Sequence, residues 1–318
     1  MAVYTHVSAE EIGRLLDDFD LGPLRSVKGI AEGVENSNYL IDAERGRFVL
    51  TLYEKRVDAA DLPFFLSLLD HLADRGLPVP RALSDRSGAQ VRTVQERPAC
   101  LIEFLPGVSL SQPTPAQARA TGEALGRMHA ALGDFAGARP NALGPDGWHE
   151  LATRCGDAVD AIAPGLAARV AGELRALSEA WPRDLPRSVI HADLFPDNVL
   201  MLGDAVTGMI DFYFACTDIR AYDLAVTHSA WAFSADGRSY DKVVGRALVS
   251  GYAAAFPLSE EERAALPVLA RGAALRFTLT RAWDWLNTPA GALVTRKDPL
   301  AFLRRLDAYA ASGAAMFA

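Results

Sequence analysis

The sequence predicts an α+β fold in two lobes: a small antiparallel-sheet lobe carrying one helix, then a larger, mainly helical lobe. Three observations predict it. Between residues 26 and 105, short β-type runs alternate with turn residues and are interrupted by one amphipathic helical pattern. Beyond residue 106, apolar residues recur mostly at helical spacing. The chain has 318 residues, more than one typical domain, and 50% of them are apolar, so each lobe can bury a core. The division is placed at 1–105 and 106–318, because Pro106 and Gly107 break the strand that precedes them.

The elements follow in order. Ser8, with Glu10 and Glu11 behind it, opens a first helix over 9–18, its acids favourably placed in the first turn. SVKGI, SNYLIDA and FVLTLY read as strands. Residues 61–75, LPFFLSLLDHLADRG, form an amphipathic helix stopped by Gly76, after which Pro78 and Pro80 force extended chain. VRTVQ and ACLIEFL are two more strands. In the second lobe helices are expected at 115–132, 148–162, 166–180, 219–233, 239–255, 259–285 and 299–313. Residues 187–214, RSVIHADLFPDNVLMLGDAVTGMIDFYF, interrupt them with short apolar runs separated by loop residues, a small β-rich insert.

Composition narrows the function. The net charge of −8 disfavours a nucleic-acid partner. Cys100, Cys155 and Cys216 are odd in number and widely spaced, without a CxxC pair, so reduced thiols in a cytoplasm are expected. The first residues lack a basic stretch leading into an apolar core, and no run of about 18 apolar residues appears, so neither a signal peptide nor a membrane span is expected.

The chemistry concentrates in HADLFPDN, His191 to Asn198, followed by MIDFY with Asp211. Phosphoryl transfer needs hard oxygen ligands for a metal-bound triphosphate and a destination for the proton of the attacking hydroxyl. A loop aspartate can take that proton, and an asparagine carbonyl with a second carboxylate can hold metal. Asp193 and Asn198 stand five positions apart, the HxDxxxxN spacing of the protein-kinase catalytic loop. Asp211 lies 13 residues beyond Asn198, after the apolar run VTGMI, so a tight hairpin is expected to return it beside Asn198. A lone loop aspartate or asparagine usually caps a turn; the joint spacing and strand context favour chemistry. No second His cluster accompanies the HxD, which disfavours zinc.

On these residues the sequence resembles the aminoglycoside-phosphotransferase and choline-kinase superfamily, which shares the protein-kinase-like fold. KGIAEGVENSNYLI, FVLTLYEKR, DLPFFLSLLDHLADRGLPVP and HADLFPDNVL resemble the bacterial homoserine kinases of this fold. The resemblance implies ATP and Mg²⁺ as cofactors, L-homoserine as acceptor and O-phospho-L-homoserine as product. It implies Asp193 as catalytic base, Asn198 and Asp211 as metal ligands, and His191 and Asp223 as supports of the loop. The other readings are a kinase of the same fold acting on an aminoglycoside, choline or sugar, and a nucleotide-binding pseudokinase.

For the nucleotide, Gly29 and Gly33 permit a tight phosphate-facing turn, Asn36, Ser37 and Asn38 offer side-chain donors, and backbone at Glu103 and Leu105 suits an adenine edge. One departure stands out. Thr51 occupies the place where protein kinases carry a third-strand Lys, and the helix position of its Glu partner falls near Phe65, so the ion pair is missing as a unit. Lys28, Lys55 and Arg56 are the candidate substitutes. For the acceptor, LRFTLTRAWDW supplies Arg276, Arg281 and Asp284; Arg281 and Asp284, with Asp218 and Tyr222, are the candidate substrate residues.

Overall fold

The computed structural model describes residues 4–30, 36–54, 58–288 and 296–318. The chain divides into two compact units, Met1–Pro106 and Gly107–Ala318.

In the first unit, helix α1 (Ala9–Asp17) starts on a capping box. The Ser8 hydroxyl accepts the Glu11 N–H, and the Glu11 carboxylate accepts the Ser8 N–H at 2.9 Å. Strands β1 (Leu24–Gly29), β2 (Ser37–Ala43), β3 (Gly46–Leu52), β4 (Arg92–Val94) and β5 (Arg97–Glu103) form an antiparallel sheet in the order β1-β2-β3-β5-β4. Burial alternates residue by residue along β2, as a sheet with one covered face requires. Ile12 and Leu16 of α1 close over Ile41, Leu50, Leu52 and Leu101. Helix α2 (Leu62–Asp74) lies between β3 and β4 in sequence, and Gly76, at φ +75°, ends it in the left-handed conformation that favours glycine.

The second unit holds α3 (Pro115–Ala131), α4 (Pro145–Cys155), α5 (Leu166–Ala180), β6 (Arg187–Ile190), β7 (Val199–Leu202), β8 (Ala205–Met209), β9 (Cys216–Ile219), α6 (Arg220–Trp231), α7 (Lys242–Ala255), α8 (Glu260–Asn287) and α9 (Leu300–Ser312). β6 pairs with β9 and β7 with β8, both antiparallel. Helix α6 is buried at every residue from Ala221 to Trp231, so it serves as the core around which the unit is built. Helices α3 and α7 pack backbone to backbone: a methyl on Gly122 would lie 2.1 Å from the Leu248 carbonyl oxygen.

The expected helix at 148–162 is corrected to Pro145–Cys155 followed by a 3₁₀ stretch, Gly156–Ala161. Pro145 supplies the preset φ of a first helical position, and Gly156, at φ +49°, departs from helical backbone. The three cysteines are buried and unpaired; burial raises the Cys100 thiol to about 11 and the Cys216 thiol to about 12. No helix among the described residues is long and apolar enough to cross a membrane.

Candidate active site

The HADLFPDN segment leaves β6 at Ile190 and enters β7 at Val199. Its backbone groups are held almost one by one. His191 N–H and Ala192 N–H donate to the two oxygens of Asp223, at 2.7 and 2.8 Å. The Ala192 carbonyl accepts from the Arg276 guanidinium. Asp193 N–H donates to His191 Nδ1 at 3.2 Å, and the Asp193 carbonyl accepts from Asn198 Nδ2 at 2.8 Å and from Phe195 N–H at 2.8 Å. The Leu194 carbonyl accepts from Trp231 Nε1 at 2.9 Å. A loop so completely satisfied is held in one shape, as a preorganised site requires.

That shape includes local strain. Ala192 adopts φ +63°, a left-handed conformation that costs an L-residue about 1–2 kcal/mol. Asp223 on its N–H and Arg276 on its carbonyl offset the cost from either side. Asp223 is itself buried and receives His129 Nε2 at 3.1 Å, while His129 Nδ1 lies 2.8 Å from the Tyr252 hydroxyl. Burial alone would raise the Asp223 pKa, but the His129 hydrogen bond, the neighbouring imidazoles of His129 and His191 and the His191 N–H hold it below the usual carboxylate value.

His191 is also buried, and burial lowers its pKa. Its Nδ1 accepts the Asp193 N–H, so the proton resides on Nε2, which donates to the Ile210 carbonyl at 3.0 Å. One imidazole therefore ties the loop to the end of the β7–β8 hairpin. Ile210 N–H closes that hairpin onto the Asn198 carbonyl at 3.0 Å, which places Asp211 next in the chain, at φ +65°. Asn198 Nδ2 also lies 3.3 Å from Asp193 Oδ2.

Asp193, Asn198 and Asp211 are partly exposed, above a buried base of His191 and Asp223. The Asn198 amide nitrogen is directed at Asp193; its side-chain carbonyl oxygen and the Asp211 carboxylate are hard oxygen donors of the kind Mg²⁺ takes. No group of three or more His, Cys, Asp or Glu that could hold a metal occurs among the described residues. A two-residue contribution fits an ion that draws its other oxygens from phosphate and water.

The remaining expected residues divide. Asp218 is 4% exposed, bonded to Asn141 Nδ2 at 2.6 Å and 3.3 Å from Arg187, and Tyr222 is buried edge-on against Trp181. Asp218 is thus engaged by its neighbours, whereas the buried Tyr222 hydroxyl has no hydrogen-bond partner among the described residues. Arg276, 1% exposed, is likewise spent on the loop and on the rings of Phe277 and Phe214. Arg281 is half-buried, stacked 4.4 Å over Phe302, and its pKa is pushed down to about 10 by burial, against the pull of Asp193, Asp298 and Asp197. The Asp284 carbonyl accepts both Thr288 donors at the end of α8, and its side chain is partly exposed.

In the first unit, the Ser37 hydroxyl is fully buried and engaged with Tyr4 N–H, Thr5 N–H and Glu54. Asn36 Oδ1 accepts the Glu54 N–H at 3.4 Å, and Asn38 Oδ1 accepts the Thr51 hydroxyl at 2.8 Å. Thr51 and Phe65 are both buried. Gly29 ends β1 opposite Tyr39, Glu103 N–H donates to the Arg81 carbonyl at 2.9 Å, and Leu105 follows β5 partly exposed. Lys28 is exposed on β1, while Gly33, Lys55 and Arg56 lie outside the described residues. Sequence reasoning missed His129 and Tyr252. A histidine within an otherwise apolar helical pattern was the signal for the first; Tyr252 gave none.

A sheet-bearing unit followed by a helical unit, with an aspartate loop anchored on a buried helix, defines a protein-kinase-like phosphotransferase. The chain belongs to the phosphotransferase enzyme family, whose model matches residues 26–258. It is 56% identical over 311 residues to a homoserine kinase of Zymomonas mobilis, covering 97% of each chain. It is 54% identical over 306 residues to a homoserine kinase of Xanthobacter autotrophicus, covering 96% of this chain and 95% of the relative. Among solved structures, an amicoumacin kinase superposes with a TM-score of 0.72 at 14% identity, covering 96% of this chain and 94% of that one. A spectinomycin phosphotransferase gives the same score and identity over 98% and 100%.

Proposed function

We propose that this chain is an ATP-dependent homoserine kinase, transferring the γ-phosphoryl group to the side-chain hydroxyl of L-homoserine. The observation that carries the acceptor is the identity above 50%, over nearly the whole length, to homoserine kinases. The chemistry rests on the anchored loop. Asp193 orients the hydroxyl and takes its proton as the oxygen attacks the γ-phosphorus. The bond from that phosphorus to the bridging oxygen breaks, and ADP leaves. Positioning and charge neutralisation do most of the acceleration in such transfers. Asn198 and Asp211 would hold Mg²⁺, which when bound neutralises charge on the phosphates.

His191 and Asp223 support the loop without touching the reactants. For the nucleotide, the phosphate-facing turn is assigned to Gly29, Gly33, Asn36 and Asn38, and the adenine edge to backbone of Glu103 and Leu105. The test is ADP release with homoserine, choline and kanamycin offered separately, with ³¹P NMR of the product. Turnover with homoserine alone supports the reading. Turnover with choline or kanamycin but not homoserine overturns it.

A further inference from the structure

Arg281 differs from the other buried or half-buried arginines of its helical neighbourhood. Arg305, 4% exposed, is spent on the carbonyls of Ser229, Ser234 and Ala235. Arg276 is spent on Ala192. Among the described residues, Arg281 donates to one carbonyl, that of Asp298, at a long 3.3 Å. Among the described residues no carboxylate oxygen lies within 4.0 Å of its guanidinium nitrogens. The nearby acids are engaged elsewhere: Asp298 with Arg304 and the Leu300 N–H, and Asp193 with Asn198.

A half-buried cation without a counter-ion is costly, yet this one is held in place. Phe302 stacks under it at 4.4 Å, and the same ring carries Arg305 at 4.1 Å. Arg276 Nε and Arg305 Nε are buried without partners, whereas no Arg281 nitrogen is buried and unpartnered, and the residue is partly exposed. Phe302 also packs against Phe195, two residues beyond Asp193 in the same loop, with ring centroids 6.0 Å apart, which sets the guanidinium on the Asp193 side of the helix. A fixed, unneutralised guanidinium beside the base suits a molecule bearing a hydroxyl at one end and an anion at the other. The planar fork matches a carboxylate.

We infer that Arg281 is the receptor for the α-carboxylate of the amino-acid acceptor and is the residue that selects a carboxylated substrate. The inference rests on the proposed function and adds the group that reads the acceptor. Its test compares homoserine with 3-aminopropan-1-ol, the same molecule without the carboxylate, in the wild type, Arg281→Met and Arg281→Lys. The ratio of kcat/KM for the two alcohols is expected to fall about 100-fold in Arg281→Met, chiefly through the KM for homoserine, and less in Arg281→Lys, which keeps the charge but not the fork. The KM for ATP stays unchanged.

An unchanged ratio with full homoserine turnover overturns the inference alone. Equal losses on both alcohols in both variants overturn it too, since that marks a structural residue. A wild type that turns over no homoserine overturns the proposed function and this assignment with it.

Discussion

The Asp223 carboxylate accepts the Ala192 N–H at 2.8 Å and so holds a left-handed, non-glycine residue immediately before Asp193. In Asp223→Asn, one accepting oxygen becomes a donor and a buried backbone N–H loses its partner. A loss of about 2–4 kcal/mol in stability is expected, with kcat reduced at least ~100-fold because the loop relaxes. Urea unfolding and steady-state kinetics on the same preparation check both.

Asp193 sits on the loop rather than beneath it, so its removal should separate chemistry from folding. Asp193→Ala is expected to lower kcat by about 10²–10⁴-fold, the range for a lost general base. Nucleotide affinity by calorimetry and the melting temperature should stay near the wild-type values. Unchanged turnover would remove Asp193 from the mechanism.

Stability should fall in mild acid. His228 is fully buried, with Nδ1 2.7 Å from the Tyr309 hydroxyl, and burial pushes its pKa down to about 3; the His191 pKa is lowered by the same cause. A depressed folded-state pKa means that the unfolded chain binds the proton first. The contribution is therefore complete above the unfolded value, about 6.5, and is lost as pH drops below it. Each such histidine adds a slope of up to about 1.4 kcal/mol per pH unit. Urea unfolding at pH 6 and pH 5 should show a shallower decline in His228→Gln than in the wild type.

Two glycine-to-alanine changes should act in opposite directions. Gly122 of α3 meets the Leu248 carbonyl of α7, a backbone atom that cannot step aside. Gly122→Ala is expected to cost about 3 kcal/mol or more. Gly13 of α1 has nothing within 4 Å of an added methyl, and Gly13→Ala should gain about 0.5–1 kcal/mol from helix propensity. Scanning calorimetry of the two variants separates the signs.

The elements were readable because their periodicities are clean: β2 alternates, and α1, α3 and α8 begin on capping boxes with Glu or Gln at the third position. Helix α4 was set too late because Trp148 starts its apolar stripe, whereas Gly144–Pro145 starts its backbone. The convergence of Asp193, Asn198 and the hairpin before Asp211 was legible because it depends on local spacing. The His129–Asp223 and Tyr252–His129 contacts behind the loop were not, since they join α3 to α6 and α7 to α3 across 94 and 123 residues of chain. The burial of Tyr222 and Asp218 was not legible in sequence, because α6 and β9 carry polar residues among apolar ones and yet both positions are covered.

Helix α8 grips the carbonyl before Asp193 through Arg276 and carries Arg281 five residues further on, a rise of roughly 7.5 Å along its axis. If Arg281 is the carboxylate receptor inferred above, a single rod sets the span between the hydroxyl to be phosphorylated and the cation that reads the opposite end of the acceptor. Serine, one methylene shorter than homoserine, is then expected to be the poorer acceptor, and lengthening the accepted amino acid would mean re-siting the helix, not enlarging a pocket.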